Sequence, residues 1–235
     1  MKDTRGTVPR LFGELLIIVA GVLIALGVDS WNSARHDGDV EADYLRRLAA
    51  DIQTDTAWFG IIIRGAERKT NALERVADVL LRRNGAPADT TEFLNDIIES
   101  SSWGWQQPEV RRTTVDDLLS PGNIRLISSR DLRAQVAEYY SLADAVYRRI
   151  DRRRGPYPAT TYALLPRAPD QEGDEFSVAT DRYGLSDQDL IRNILESDLR
   201  DEILAEMNLS LFIKLRHLEL RAAALELLSS LEARR

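Results

Sequence analysis

An uncharged apolar segment, Leu15 to Val28, constrains this chain more than any other feature of its sequence. Between Arg10 and Asp29 lie 18 residues that carry a single charge, Glu14. As a helix these residues span roughly 27 Å, about the thickness of the hydrocarbon core of a bilayer. The segment therefore predicts a membrane-spanning helix over residues 11–29.

Two alternatives remain open for this segment. A buried core helix has the same composition, and a cleavable signal peptide is compatible with the small residues Ala25 and Gly27. Trp31 follows the segment by three residues, which is a common depth for an aromatic anchor at the membrane interface. A retained single membrane helix is the interpretation that these residues favour.

The charges on either side of the segment predict its orientation. Lys2, Arg5 and Arg10 precede it, whereas Arg35 is the single basic residue in the next ~15 positions. Because basic residues stay on the cytoplasmic side, we expect residues 1–10 to form a cytoplasmic tail and residues 30–235 to lie outside the cytoplasm. In a bacterial inner membrane, this domain would be periplasmic.

One face of the predicted membrane helix combines a carboxylate with small residues. Glu14, Gly21 and Ala25 fall within about 40° of each other on a helical projection. Two small residues four positions apart let another helix approach closely, and a carboxylate near the membrane edge is costly without a partner. This face predicts packing of the helix against itself or against another membrane subunit. The alternative is an interfacial glutamate with small residues nearby by chance.

Three segments carry a family resemblance. They are Gly13-Glu14 to Ala25-Leu26 with Trp31-Asn32, then Glu41 to Leu48, and then Leu118 to Ile127 with Leu132 and Tyr139-Tyr140. They resemble a bacterial family of uncharacterised single-pass membrane proteins, defined only as a domain of unknown function. The resemblance implies one membrane helix and a mostly helical soluble part, and it implies no activity or site residues.

Beyond the membrane segment, apolar residues at alternating spacings of three and four predict an all-α domain with two long helices. The first helix is predicted over 40–83, with nine apolar residues among eleven stripe positions: Leu45, Leu48, Ile52, Asp55, Phe59, Ile62, Ala66, Lys69, Leu73, Val76 and Leu80. The second is predicted over about 199–231 within the C-terminal segment 186–235, with six apolar residues among eight stripe positions: Leu204, Met207, Leu211, Lys214, Leu218, Arg221, Leu225 and Leu228. We expect the two helices to pair antiparallel, with short helices and loops of residues 90–185 capping the bundle. One helix of this region is predicted to end at about Arg154 and to carry one apolar face: Leu132, Val136, Tyr139, Ala143, Val146 and Ile150.

Few residues suit catalysis. The chain has no cysteine and two histidines, His36 and His217, of which His217 lies off the predicted apolar stripe. His36 lies just beyond the membrane segment, where we expect it to face solvent. His217 and Glu219 are two positions apart and so lie on different faces of a helix, which does not suit a metal site. No phosphate-binding or hydrolase motif is present. We therefore predict no catalytic, metal-binding or cofactor-binding residues. A net charge of −7 also argues against binding to nucleic acid.

Two surface features are candidates for binding a partner. A basic cluster lies at the carboxyl end of a predicted helix and comprises Arg148, Arg149, Arg152, Arg153 and Arg154. It suits lipid headgroups or an acidic protein surface, although a helix end favours cations in any case. Trp103 and Trp105 lie in a predicted loop, where they suit either an interface anchor or packing against the end of the bundle.

These features favour a non-enzymatic, single-pass membrane protein that binds other proteins. We expect an accessory or scaffolding subunit of a larger membrane assembly, for example respiratory or photosynthetic, or a homo-oligomer. Its predicted partners are the lipid bilayer and either other membrane subunits or further copies of itself. The alternatives are an extracytoplasmic sensor or ligand-binding module and, less favoured, a membrane-anchored enzyme.

Overall fold

A computed structural model describes residues 7–82, 85–101, 110–120, 123–165, 167–169, 176–178 and 185–234. The fold is all-α, as predicted, and the described residues form seven α-helices. The helices are α1 (Thr7–Leu80), α2 (Thr90–Ser101), α3 (Thr113–Leu119), α4 (Arg130–Asp151), α5 (Tyr157–Leu164), α6 (Asp187–Leu195) and α7 (Leu199–Glu232). A 3-10 turn at Asn123–Leu126 and one antiparallel pair of short strands, β1 (Arg167–Pro169) and β2 (Phe176–Val178), complete the described elements.

Helix α1 contains 74 residues and is about 110 Å long. The segment predicted to cross a membrane and the long helix predicted over 40–83 are thus parts of one continuous helix. Residues 30–39 contain no proline, and Gly38 alone costs only about 1 kcal/mol within a helix, so the helix continues. Residues 19–39 are all exposed, and Leu45 is the first buried side chain among those described. In the part of the chain that the structure describes, no helix has the length and apolarity needed to cross a membrane.

The carboxyl end of α1 is fixed by a close approach at Gly85. A Cβ atom at this position would lie 1.9 Å from the carbonyl oxygen of Val79, so a side chain does not fit unless the backbone moves. The chain then leads into α2, which packs against the last turns of α1.

The predicted stripe of α1 faces the core along its whole length. All eleven predicted positions are buried, including the two charged ones, Asp55 and Lys69. The main partner of α1 is α7, which runs antiparallel to it as predicted. The direction follows from side chains that meet in reverse order along the two helices, Lys69 with Glu206 and Phe59 with His217.

The predicted stripe of α7, however, faces the core only in part: Met207 and Leu228 are partly buried against it, but the leucines between and around them are not. Leu204, Leu211, Leu218 and Leu225 are 42–53% exposed, and Arg221 is exposed as well. The buried face is a different one: Leu199, Ile203, Glu206, Leu209, Ser210, Ile213, His217, Leu220, Ala224, Leu227 and Leu231. Because leucines occupy both sides of α7, apolar residues at alternating spacings of three and four can be found on either face, and the spacing alone does not identify the buried one. The face that packs on α1 also carries polar residues, so from sequence it looks less apolar than the opposite face.

Helix α4 is a third long helix of the bundle rather than part of a cap. Its predicted apolar face is buried in one cluster with α1 and α7, and comprises Leu132, Val136, Tyr139, Ala143, Val146 and Ile150. A second apolar cluster joins the last turns of α1 to α2, α5, α6 and the start of α7. The side chains of Ser129 and Ser186 accept backbone N–H bonds at the starts of α4 and α6.

Candidate functional site

The small-residue face predicted on the amino-terminal part of α1 is open. A Cβ atom added at Gly21 would meet nothing within 4 Å, and Ala25 is exposed. The side chain of Glu14 lies outside the described residues. Trp31 is 64% exposed, and the guanidinium of Arg35 lies 5.9 Å from its ring centroid, one turn further along the helix. Trp103 and Trp105 also lie outside the described residues.

The predicted basic cluster at the end of α4 divides into two parts. Arg148 lies in a cleft together with Arg112, Asp144 and Asp151. Arg112 donates to Asp144 over 2.9 Å. Acidic side chains therefore accompany Arg148, and this part of the cluster carries little excess positive charge.

The other part is an open cleft that Arg149, Arg152 and Arg153 form with Phe212 of α7. The Arg153 guanidinium lies 4.3 Å from the Phe212 ring centroid, and that of Arg216 lies 5.5 Å from it. Within the described part of the chain, no ion pair involves the three arginines of the cleft. Guanidinium groups beside an aromatic ring and without a carboxylate partner suit a carboxylate or phosphate group of a binding partner.

The interior of the bundle contains a charged pair. The ammonium of Lys69 on α1 donates to the carboxylate of Glu206 on α7, and both side chains are under 5% exposed. Next to them the hydroxyls of Thr70 and Ser210 lie 2.9 Å apart, and both lie within hydrogen-bond distance of the carbonyl oxygen of Ala66. These contacts join α1 to α7 with every one of these side chains paired.

A second buried polar group connects α1 to α4. The carboxylate of Asp55 accepts the Tyr139 hydroxyl over 2.9 Å and the backbone N–H of Arg111 over 3.1 Å. Burial raises the pKa of Asp55 above its usual value, although these two hydrogen bonds oppose the effect. Burial and the neighbouring Asp55 raise the pKa of the Tyr139 hydroxyl, so it remains a donor at any physiological pH.

The sequence contained a signal for both of these pairs. Asp55 and Lys69 are the two polar residues on the predicted apolar stripe of α1, and a charged residue at a core position needs a buried partner. Their partners were not predictable in the same way. Glu206 was hidden by the wrong choice of the buried face on α7.

His217 on α7 is also buried, with no exposed surface. The sequence predicts the opposite, because His217 lies off the predicted apolar stripe of this helix. Its ring lies 5.8 Å from those of Phe59 and Tyr147, edge to face. Its Nδ1 lies 2.8 Å from the carbonyl oxygen of Ile213, which can only accept, so Nδ1 carries the proton. Nε2 has no hydrogen-bond partner among the described residues. Burial lowers the pKa of His217 below 6.5, so the ring of the folded chain is mainly neutral at pH 7.

We expect His217 to make stability pH-dependent. Because its pKa is lower in the folded chain than the ordinary 6.5, the unfolded chain takes up a proton first as the pH falls. The stabilising contribution is full above about pH 6.5 and is lost as the pH falls from there towards the folded-state pKa. One proton gives a slope of at most about 1.4 kcal/mol per pH unit.

Urea unfolding of the full-length chain at about pH 7.5 and about pH 5.5 measures this slope. The His217→Leu variant should lose less stability between the two pH values than the unchanged chain. Equal losses in both proteins would contradict the assignment.

The described residues contain no group of three or more histidine, aspartate or glutamate side chains placed to hold a metal ion. The buried polar side chains described above bond mainly to one another or to the backbone, in the manner of residues that specify packing. Comparison of the chain with models of protein families, with curated proteins and with solved structures gave no significant match.

Proposed function

We propose that this chain is a non-enzymatic scaffold anchored in a bacterial inner membrane, an accessory subunit whose helical bundle binds other proteins. The observation that carries the proposal is the composition of α1. One end of this helix has an exposed apolar surface, and the other end forms the centre of the bundle core. A single helix of this kind fixes a folded domain at a membrane without a separate linker.

The amino-terminal part of α1 supports the anchor. Large apolar side chains at Val19, Val22, Leu23, Ile24, Leu26 and Val28 are 48–67% exposed. Water disfavours such a surface by about 25 cal/mol per Å² of apolar area, so something must cover it. A bilayer suits it, since the apolar sequence extends over residues 11–28 and, as a helix, is about as long as the hydrocarbon core is thick. The family resemblance of this segment agrees with the proposal.

The flanking charges give the orientation of the anchor. With Lys2, Arg5 and Arg10 on the cytoplasmic side, the bundle lies in the periplasm. The absence of cysteine means that the bundle reaches this compartment without disulfides.

The bundle supports a binding role rather than a catalytic one. Its buried charges at Asp55, Lys69 and Glu206 are engaged with each other or with neighbouring groups and are at most 4% exposed, so they are out of reach of a substrate. The unpaired arginines at its surface, by contrast, offer contacts to an acidic partner.

Purification of the full-length chain in a mild detergent, followed by mass spectrometry, tests the proposal. We expect stoichiometric recovery of another membrane subunit or of further copies of the chain. Replacing Gly21 and Ala25 by leucine should reduce this recovery, because the small-residue face would no longer admit a second helix. The control variant Val22→Leu with Leu26→Ile changes the neighbouring face at the same spacing. Isolation of a monomer with a bound small molecule would contradict a scaffolding role.

A further inference from the structure

Helix α7 has an apolar surface that the bundle does not use. It faces away from the core and comprises Leu204, Asn208, Leu211, Leu215, Leu218, Ala222 and Leu225, which we call the outer stripe. Its five leucines are 42–56% exposed. The positions on the opposite side of the helix, Glu206, Ile213, Leu220 and Leu227, are at most 5% exposed. The outer stripe is therefore a second apolar face on a helix that already packs on α1.

The spacing of the outer stripe is that of a coiled-coil seam. Four of its leucines recur every seven residues from Leu204 to Leu225, which corresponds to the d positions of a heptad repeat. Asn208, Leu215 and Ala222 fall at the a positions between them. A single asparagine at an a position fixes register and the number of strands in coiled coils. A surface with this period fits another helix better than an irregular surface.

Charges lie on both sides of the outer stripe and differ in sign. Lys214 and Arg221 form a basic flank at the g positions, and Glu219 and Glu226 form an acidic flank at the e positions. Lys214 also lies 3.0 Å from Glu67, and Arg216 donates to Glu219 over 2.6 Å. Arg221 and Glu226 take part in no ion pair within the described ranges of the chain.

We infer that α7 pairs through its outer stripe with α7 of a second copy, in a parallel and in-register coiled coil. In a parallel pair, each g residue lies opposite the e residue five positions later on the other helix. Lys214 then meets Glu219 of the second copy, and Arg221 meets its Glu226. An antiparallel pair would instead place the two basic flanks together and the two acidic flanks together. The charge pattern therefore selects both the second copy and its direction.

The parallel direction agrees with the membrane anchor, and in this respect the inference rests on the proposed function. Two parallel copies have their amino-terminal helices on the same side, where both can enter one bilayer. Three heptads give a short seam, but anchoring in a membrane raises the effective concentration of the two helices.

Single cysteines test the inference, because the chain has none of its own. Leu204→Cys, Leu211→Cys, Leu218→Cys and Leu225→Cys each place a thiol opposite its own counterpart only in a parallel, in-register pair. In native membranes under mild oxidation, we expect all four to give a crosslinked dimer, about tenfold above the control Ser141→Cys on the exposed surface of α4. Crosslinks at only one position of the series, or to a protein of another mass, would overturn the inference.

Charge exchange tests the direction separately. In the Leu218→Cys background, Arg221→Glu should lower crosslinking about fivefold, and Arg221→Glu with Glu226→Arg should restore it. Equal crosslinking in all three proteins would contradict the assigned charge pairs. Fractionation of the same samples separates the two proposals. Crosslinked dimer in the soluble fraction would refute the anchor alone, and membrane-bound chain without crosslinks would refute the coiled coil alone.

Discussion

Replacing Lys69 by methionine should lower the free energy of unfolding of the full-length chain by about 3–5 kcal/mol. The change removes the cation that faces Glu206 and leaves a carboxylate that is 2% exposed in the interior. Burying an unpaired charge away from water costs far more free energy than the small change in apolar packing when methionine replaces lysine. Urea unfolding in detergent micelles, followed by circular dichroism, gives the value.

The double variant Lys69→Met with Glu206→Leu separates the charge from the packing. Because two apolar side chains of similar size replace the ion pair, we expect its stability to be close to that of the unchanged chain or above it. The exposed pair Arg82–Asp78 provides the control, with side chains 69% and 71% exposed. Arg82→Met should change stability little. A double variant as unstable as Lys69→Met would show that the buried pair is not the cause.

The contribution of this pair is specificity more than net stability. It lies between α1 and α7 near a pair of hydroxyls, Thr70 and Ser210, that also bridge the two helices. Sliding one helix by a single turn would separate both pairs and bury unmatched polar groups. We therefore interpret the polar residues as fixing the antiparallel register, which leaves the outer stripe of α7 in one defined position.

Introducing two arginines into the proposed anchor should release the chain from the membrane. Arginine near the centre of a membrane helix costs about 2.5–3.5 kcal/mol on insertion scales, so Val19→Arg with Leu23→Arg adds about 5–7 kcal/mol. Both side chains are exposed and lie outside the bundle core, so the fold of the bundle should not change. The fraction of chain that remains in the membrane pellet after alkaline extraction is the measurement.

The matched control places two arginines at the same spacing on the bundle part of α1. Ala50→Arg with Thr54→Arg alters exposed positions and should leave the chain in the membrane. If both double variants stayed in the pellet, the apolar segment would not be the anchor.

Local sequence was sufficient for α1 and α4 but not for α7. The stripes of α1 and α4 are each apolar on one side, so the spacing of three and four had one solution, and the predicted positions are buried. On α7 the bundle-facing side includes Glu206, Ser210 and His217, whereas the outer side is mostly leucine. The sequence therefore favours four leucines of the outer side for the core, and these four are exposed: Leu204, Leu211, Leu218 and Leu225. Only the tertiary partners of the polar residues distinguish the two faces.

The candidate partner surfaces were predicted in part. The sequence predicts the basic cluster at the end of α4, but its division into two clefts depends on Arg112 and Phe212, which are distant in sequence from it. The predicted stripe of α7 shares four leucines with the outer stripe, and for these four the predicted contact with the core is wrong. A heptad repeat identifies a surface that fits a helix, and the identity of that helix depends on the rest of the fold.

Labelling of single cysteines with a membrane-impermeant maleimide tests the central claim most directly. Thr4→Cys and Ser141→Cys place a thiol before and after the proposed anchor, in a chain that has no other. In spheroplasts we expect Ser141→Cys to be labelled and Thr4→Cys to be labelled only after lysis, with the chain retained in the membrane after alkaline extraction. Protection of Ser141→Cys until lysis, or recovery of the chain in the alkaline supernatant, would contradict a membrane-anchored bundle outside the cytoplasm.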